Sequence, residues 1–305
     1  MLLARKTIVP AVLVSLTSPG SAGGPAGMAR TDSTFGYVEV SAADTRTAIE
    51  EGQAAQTAAR TVLALPDVRF GIADTGGRNA QWVNLGADGK PVYTWVFSRK
   101  AGDQKPVPPS YVLRHEIGHD LFTRYLAPSS MGGQYGGDAP DWLDEMAAVA
   151  FEGAALTASR RREAVRYARD ATLMPLGRFL TMTHPEYESR PPPDPSGPAV
   201  RIRLATSEDA PRFYAMCRAF HDFLVDRTHS PSIVAELAAA FRKGERLDRW
   251  ILSRVGREGR TGDLGALNAE FLAWIGSDPR YGAAGGKSGD VAASLDAPGA
   301  AGRDR

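Results

Sequence analysis

The run His115-Glu116-Ile117-Gly118-His119 constrains this chain more than any other stretch, because two imidazoles four positions apart can serve one ion only if the segment between them is helical. On a helix that spacing is about 400° of rotation and about 6 Å of rise, so both rings leave the same face. The flanking residues agree. Pro106, Pro108 and Pro109 keep the chain extended, Ser110 suits a helix cap, and 111–125 carries Val112, Leu113, Ile117, Leu121 and Phe122 at a helical period.

Two imidazoles alone do not complete a metal site. Zinc takes imidazole nitrogens at about 2.0–2.1 Å, and its catalytic sites use three protein ligands and leave a fourth position to water. Beyond a loop with Gly132, Gly133, Gly136 and Gly137, Pro140 suits the first turn of a second helix running from Asp141 through Ala150. Four acids there compete for the third place: Asp141, Asp144, Glu145 and Glu152. Helical rotation gathers Asp141, Trp142, Glu145, Ala148, Val149 and Glu152 on one side and turns Asp144 about 100° away, which makes Asp144 the least suited. An inward carboxylate beside Trp142 and Val149 is costly unless a cation pairs with it, which favours Glu145 or one of its stripe neighbours. Asp141 or Glu152 would then hold a ligand histidine by its second ring nitrogen. Glu116, one step round from His115, lies where a carboxylate can take a proton from metal-polarised water.

His115-Glu116-Ile117-Gly118-His119 followed by Trp142-Leu143-Asp144-Glu145 resembles the gluzincin zinc metallopeptidases over residues 68–180, and more faintly over the helical part beyond. The resemblance implies one zinc ion held by His115, His119 and Glu145, with Glu116 as general base and a peptide or protein as substrate. It also implies an α+β, zincin-like fold: a small N-terminal sheet packed on the metal-binding helix, followed by a mainly helical C-terminal lobe. The gap of 25 residues between His119 and Glu145 is longer than in the thermolysin-like and aminopeptidase branches, and Met146 stands where those aminopeptidases usually have glycine. The Gly-x-Met-Glu-Asn run that captures a substrate's free amine is absent from the sequence, so endopeptidase activity is favoured over aminopeptidase activity and the branch stays unassigned. Members of the family commonly draw an oxyanion donor from the downstream part. Tyr214, in Phe213-Tyr214-Ala215-Met216, is the candidate, with His221 on the same side of its helix as the second choice.

A formal net charge of +1 offers no broad electrostatic argument for a nucleic-acid partner. Cys217 is the single cysteine, which excludes an internal disulfide and a cysteine metal cluster and fits a small buried residue. At the N-terminus Arg5 and Lys6 precede an apolar run from Thr7 to Leu16 and then small residues, the pattern of a secretory signal over 1–26, cleaved after Ala22 or Ala26. Pro10 and the brevity of the run argue against a stable membrane anchor. The protein is therefore expected to be secreted or periplasmic, or cytoplasmic if synthesis starts at Met28.

The expected order is a helix over 41–65, a strand over 68–72, a hairpin of 81–85 and 92–97 around Asp88-Gly89, and then the metal helix. Tyr93, Trp95 and Phe97 are assigned to the core, and the backbone edge of the sheet is a possible rail for extended substrate. The helix over 154–172 carries Arg160, Arg161, Arg162, Arg166 and Arg169, read as a solvated basic face. The proline-rich stretch from Pro191 to Pro198 divides a catalytic lobe, 31–190, from a helical lobe, 199–276. That second lobe has helical patterns at 207–227, 233–243, 247–254 and 264–275, with Phe213, Met216, Phe220 and Leu224 as core, and 282–305 reads as a disordered tail. His184 and His229 sit in loops without partner spacing and receive no role. The rival to the enzyme is a zincin-fold binding or scaffold protein whose zinc is structural, and a third possibility is hydrolysis of a non-peptide amide or ester.

Overall fold

Val38 and Val40 alternate with Tyr37 and Glu39, and this period of two turns the valines into the core of a sheet. The computed structural model describes residues 28–74, 83–95, 110–129, 137–190, 200–203, 209–255 and 263–282. The signal segment 1–26, Phe97, the prolines from Pro191 to Pro198 and the tail beyond Gly282 lie outside the described residues.

Strands β1 (Met28–Ser33) and β2 (Gly36–Ser41) form an antiparallel hairpin beyond the elements expected from sequence. Gly36, at φ 141°, opens β2 where an added Cβ would strike the Phe70 carbonyl, so glycine is required at this close approach. Helix α1 (Thr45–Val62) follows, shorter at both ends than its periodicity suggested. Then come β3 (Phe70–Ala73), β4 (Val83–Leu85) and β5 (Pro91–Thr94). The sheet order is β1-β2-β3-β5-β4: β3 runs parallel to both β2 and β5, and β4 and β5 form the expected antiparallel hairpin. Tyr93 and Trp95 are core residues as expected, but Val92 and Thr94 are buried too, so β5 is covered on both faces.

Helix α2 (Ser110–Tyr125) carries the two histidines, and α3 (Asp141–Phe151), with Pro140 as its N-cap, carries the competing acids. The sheet grips α2 through Tyr93, whose hydroxyl donates to Asp120 Oδ2 at 2.8 Å, and Phe35, Phe70 and Tyr93 form a run of ring contacts at 4.9 and 5.4 Å. An ion pair of 2.7 Å between Glu51 and Arg114 joins α1 to α2.

Beyond α3 lie α4 (Ala154–Arg169), the short α5 (Leu176–Phe179), the two-stranded antiparallel pair β6 (Tyr187–Arg190) and β7 (Val200–Arg203), and then α6 (Asp209–Thr228), α7 (Ile233–Arg242), α8 (Leu247–Val255), α9 (Leu264–Ser277) and α10 (Pro279–Gly282). The fold is α+β: a five-stranded sheet with a mostly helical remainder. Phe213, Met216, Phe220 and Leu224 point into the core, and Cys217 is buried beside them, its thiol pushed well up by burial. Among the described residues no helix is long and apolar enough to cross a membrane.

The arginines of α4 do not form a uniform solvated face. Arg161 turns inward and donates from Nε to Asp222 Oδ2 at 2.8 Å, and Asp222 also accepts from Arg218 Nη2 at 2.6 Å and from the Tyr281 hydroxyl at 3.0 Å. One carboxylate thus ties α4, α6 and α10. Burial works to raise the Asp222 carboxyl, but the Arg218 guanidinium, with His221 and Arg161, outweighs it and holds the group far below the usual carboxylate range. A depressed carboxylate adds stability above its unfolded pKa of about 3.9, and that stability drains away as pH falls below it. Asp222→Ala leaves the buried Arg218 and the half-buried Arg161 guanidinium without their carboxylate and is expected to cost about 3–5 kcal/mol in urea unfolding at pH 7. The gap between variant and wild type should narrow as the pH is lowered below about 4.

Candidate metal centre

Gly118 decides how closely α2 and α3 pass. A Cβ built on it would lie 2.8 Å from the Ala148 Cα and 3.3 Å from the Ala147 carbonyl oxygen, so a glycine facing two alanines lets the backbones nearly touch. His115, three residues before that crossing, and His119, one residue after it, are carried by α2 over Glu145 of α3.

The three side chains converge. His115 Nε2 and His119 Nε2 are 3.1 Å apart, Glu145 Oε1 is 3.2 Å from the first and Glu145 Oε2 is 3.5 Å from the second. His115, His119 and Glu145 are thus grouped as a possible metal-binding triad, with Glu145 fully buried and His119 half-buried. Two ligand atoms on a tetrahedral zinc, each bonded at about 2.0–2.1 Å, stand about 3.3 Å from one another. The three observed separations bracket that edge length.

Both imidazoles are held from behind. His115 Nδ1 is 3.0 Å from Glu152 Oε1, and His119 Nδ1 is 2.9 Å from Asp144 Oδ2. An Nδ1–H directed at a carboxylate leaves Nε2 as the lone-pair nitrogen that a metal needs. Two such lone pairs facing each other and a carboxylate in a dry site repel unless a cation sits among them. Burial acts to lower the His119 imidazole, but Asp144 and Glu145 outweigh it and raise its pKa to about 10, while Glu145, opposed by burial, is drawn well below the usual carboxylate range by His115 and His119. The two-nitrogen, one-oxygen donor set, backed by carboxylates, suits zinc.

The acids of α3 divide their work differently from the expectation. Glu152 meets the second ring nitrogen of His115, whereas Asp141 accepts from the His184 backbone N–H at 2.7 Å. Asp144, turned away from Glu145 by helical rotation, meets the far nitrogen of His119. Glu116 lies on α2, half-buried, close enough for its charge to act on His119.

Tyr214 reaches the same site from α6. Its ring centroid is 6.3 Å from that of His115, and its hydroxyl donates to Glu186 Oε2 at 2.7 Å. The Arg160 guanidinium lies over the Tyr214 ring at 4.4 Å, with Nη2 3.5 Å from Glu152 Oε1. Burial, then the charges of Glu145 and Glu186, push the Tyr214 hydroxyl well up, so it stays protonated as a donor. His221, the second choice, lies elsewhere: its Nδ1 is 2.9 Å from Arg218 Nη2 and 3.4 Å from Asp222 Oδ1, inside the network that joins α4, α6 and α10. His184 and Glu186, which the sequence left without a role, are buried at the centre, and His184 Nε2 is 3.5 Å from Glu145 Oε2. No local spacing signals either of them, since they reach the site only through the turn before β6.

Gly118→Ala forces α2 and α3 apart. It is expected to cost about 1–3 kcal/mol of stability and to weaken zinc retention about tenfold or more with helix content unchanged, measured by chelator competition and circular dichroism.

Neither a scan of protein-family models nor searches of curated proteins and of solved structures returns a match to this chain.

Proposed function

We propose that this protein is a zinc metallopeptidase of gluzincin type, built on a zincin-like fold, which hydrolyses internal bonds of peptide or protein substrates and acts outside the cytoplasm. One observation carries the reading: the Nε2 atoms of His115 and His119 and the carboxylate of Glu145 converge, with each imidazole backed by its own carboxylate. His115, His119 and Glu145 would hold the ion. Bound there, zinc supplies a Lewis acid for the scissile carbonyl and lowers the pKa of water to about 7.

The chain's own groups do the rest. Glu116 takes the proton of the attacking water on its carboxylate and passes it to the departing amine. Tyr214, kept protonated by its burial, turns its hydroxyl from Glu186 to the oxyanion that forms on the substrate carbonyl. Glu152 and Asp144 fix the tautomers of the two imidazoles. Arg160, against Glu152 and the Tyr214 ring, offsets part of the surrounding negative charge.

A second reading, a scaffold protein with a structural zinc, draws on His184: this third imidazole, itself fully buried, could close the site as a fourth protein ligand. Metal content and peptide-library profiling with and without chelator separate the two. An enzyme cleaves peptides and stops on chelation, whereas a scaffold binds zinc and cleaves nothing.

Glu116→Gln should keep one zinc per chain and lose turnover by orders of magnitude, and Glu145→Ala should lose the metal itself; a Glu116→Gln protein as active as wild type removes Glu116 from the mechanism. Tyr214→Phe should lower kcat by about 10²–10³ with KM and zinc content little changed, as measured by steady-state kinetics beside metal analysis.

A further inference from the structure

We propose that His184 is a positioning residue: it donates its Nε2–H to Glu145 Oε2 and so holds that carboxylate toward the imidazole pair, outside the metal's own ligand set. The inference rests on the metal site described above and on the reading of His115, His119 and Glu145 as its ligands.

The tautomer of His184 follows from its other nitrogen. The Glu186 backbone N–H donates to His184 Nδ1 at 3.1 Å, so Nδ1 carries a lone pair and the proton of the neutral ring sits on Nε2. A protonated Nε2 is a donor and cannot ligate a metal. This is the reverse of His115 and His119, whose Nδ1 atoms face carboxylates and whose Nε2 atoms face the centre. Three histidines thus come together with two tautomers, and the backbone assigns the third to the carboxylate.

The position of the ring is fixed on several sides. Its side chain is fully buried, its own backbone N–H donates to Asp141 Oδ2 at 2.7 Å, and its ring packs edge-on against Phe213 at 5.3 Å and Tyr214 at 5.8 Å. Nε2 is 3.5 Å from Glu145 Oε2 and 3.5 Å from the Tyr214 hydroxyl oxygen, so the one N–H stands between the acid that grips the metal and the proposed oxyanion donor. Glu145 has three rotatable side-chain bonds. In so buried a site its carboxylate needs a donor fixed by the fold to keep one orientation toward the imidazole pair.

The test compares wild type with His184→Leu, which keeps bulk and removes the donor, and His184→Gln, which keeps an N–H able to reach Oε2. Zinc dissociation constants come from chelator competition, the cobalt(II) form of each protein gives a visible spectrum that reports the ligand set, and thermal unfolding without metal checks the fold. His184→Leu should bind zinc about 10–100-fold more weakly, His184→Gln should stay within about threefold of wild type, and the cobalt spectrum should be the same in all three. Zinc affinity unchanged in a folded His184→Leu overturns the proposal. So does an equal loss in both variants with an altered cobalt spectrum, which would make the imidazole a ligand. Should His184→Leu not fold, His184→Gln decides: affinity near wild type with an unchanged spectrum supports the role, and a loss of tenfold or more overturns it. A wild type that binds no zinc instead removes the metal reading itself.

Discussion

The near contact of two helix backbones at Gly118 and Ala148 is the constraint from which the rest of the centre follows. Helices packed through ordinary side chains stand about 8–10 Å apart, and a glycine facing alanine removes the side-chain bulk that keeps two backbones from a closer approach. Only then do side chains as short as histidine and glutamate, leaving opposite helices, place their tips within 3.1 to 3.5 Å of one another. The second residue of support is Asp120, directly after His119, which the Tyr93 hydroxyl ties to β5. Sheet, α2 and α3 are thereby set against each other around the triad.

Burying so many acids is the physical problem that this arrangement solves. Asp144, Glu145, Glu152 and Glu186 are all buried around the same two helices and the turn before β6. Each meets a donor or a cation. Asp144 and Glu152 take the back nitrogens of the imidazoles, Glu186 takes the Tyr214 hydroxyl, and Arg160 leans on Glu152. Glu145 lies among His115, His119 and His184, and a divalent ion between it and the first two would meet the electrostatic demand of the pocket most directly.

How much of this could be read from the sequence depends on how local each feature is. The two histidines lie one helical turn apart, so their convergence needs nothing beyond the helix, and α2 and α3 were evident from proline, cap and period. Glu145 needed a rotation argument on a second helix, and Asp144 shows where that argument stops. Helical rotation does turn it away from Glu145, yet an imidazole has two nitrogens on opposite sides, and the one facing away from the centre is the one Asp144 meets. Tyr214 comes from the family resemblance of the downstream helix and does lie beside His115, while His221 on the same side two turns later falls into a separate charge network because Arg218 and Asp222 capture it. His184 and Glu186 had no period at all. The β1–β2 hairpin leaves little trace in the sequence, since Thr31, Asp32, Ser33 and Thr34 dilute the alternation that Val38 and Val40 display.

Asp141 opens α3 and Glu145 stands one turn further along the same helix, yet the first holds the backbone of His184 and the second faces its ring. The turn bearing His184 is thus moored to the very rod that presents the acid. When thermal motion shifts that rod, its mooring travels with it, and the two groups drift in step rather than apart. Small displacements of the helix become shared errors that leave their relative alignment intact, so a centre assembled from a helix and a distant turn gains the tolerance of a single rigid piece.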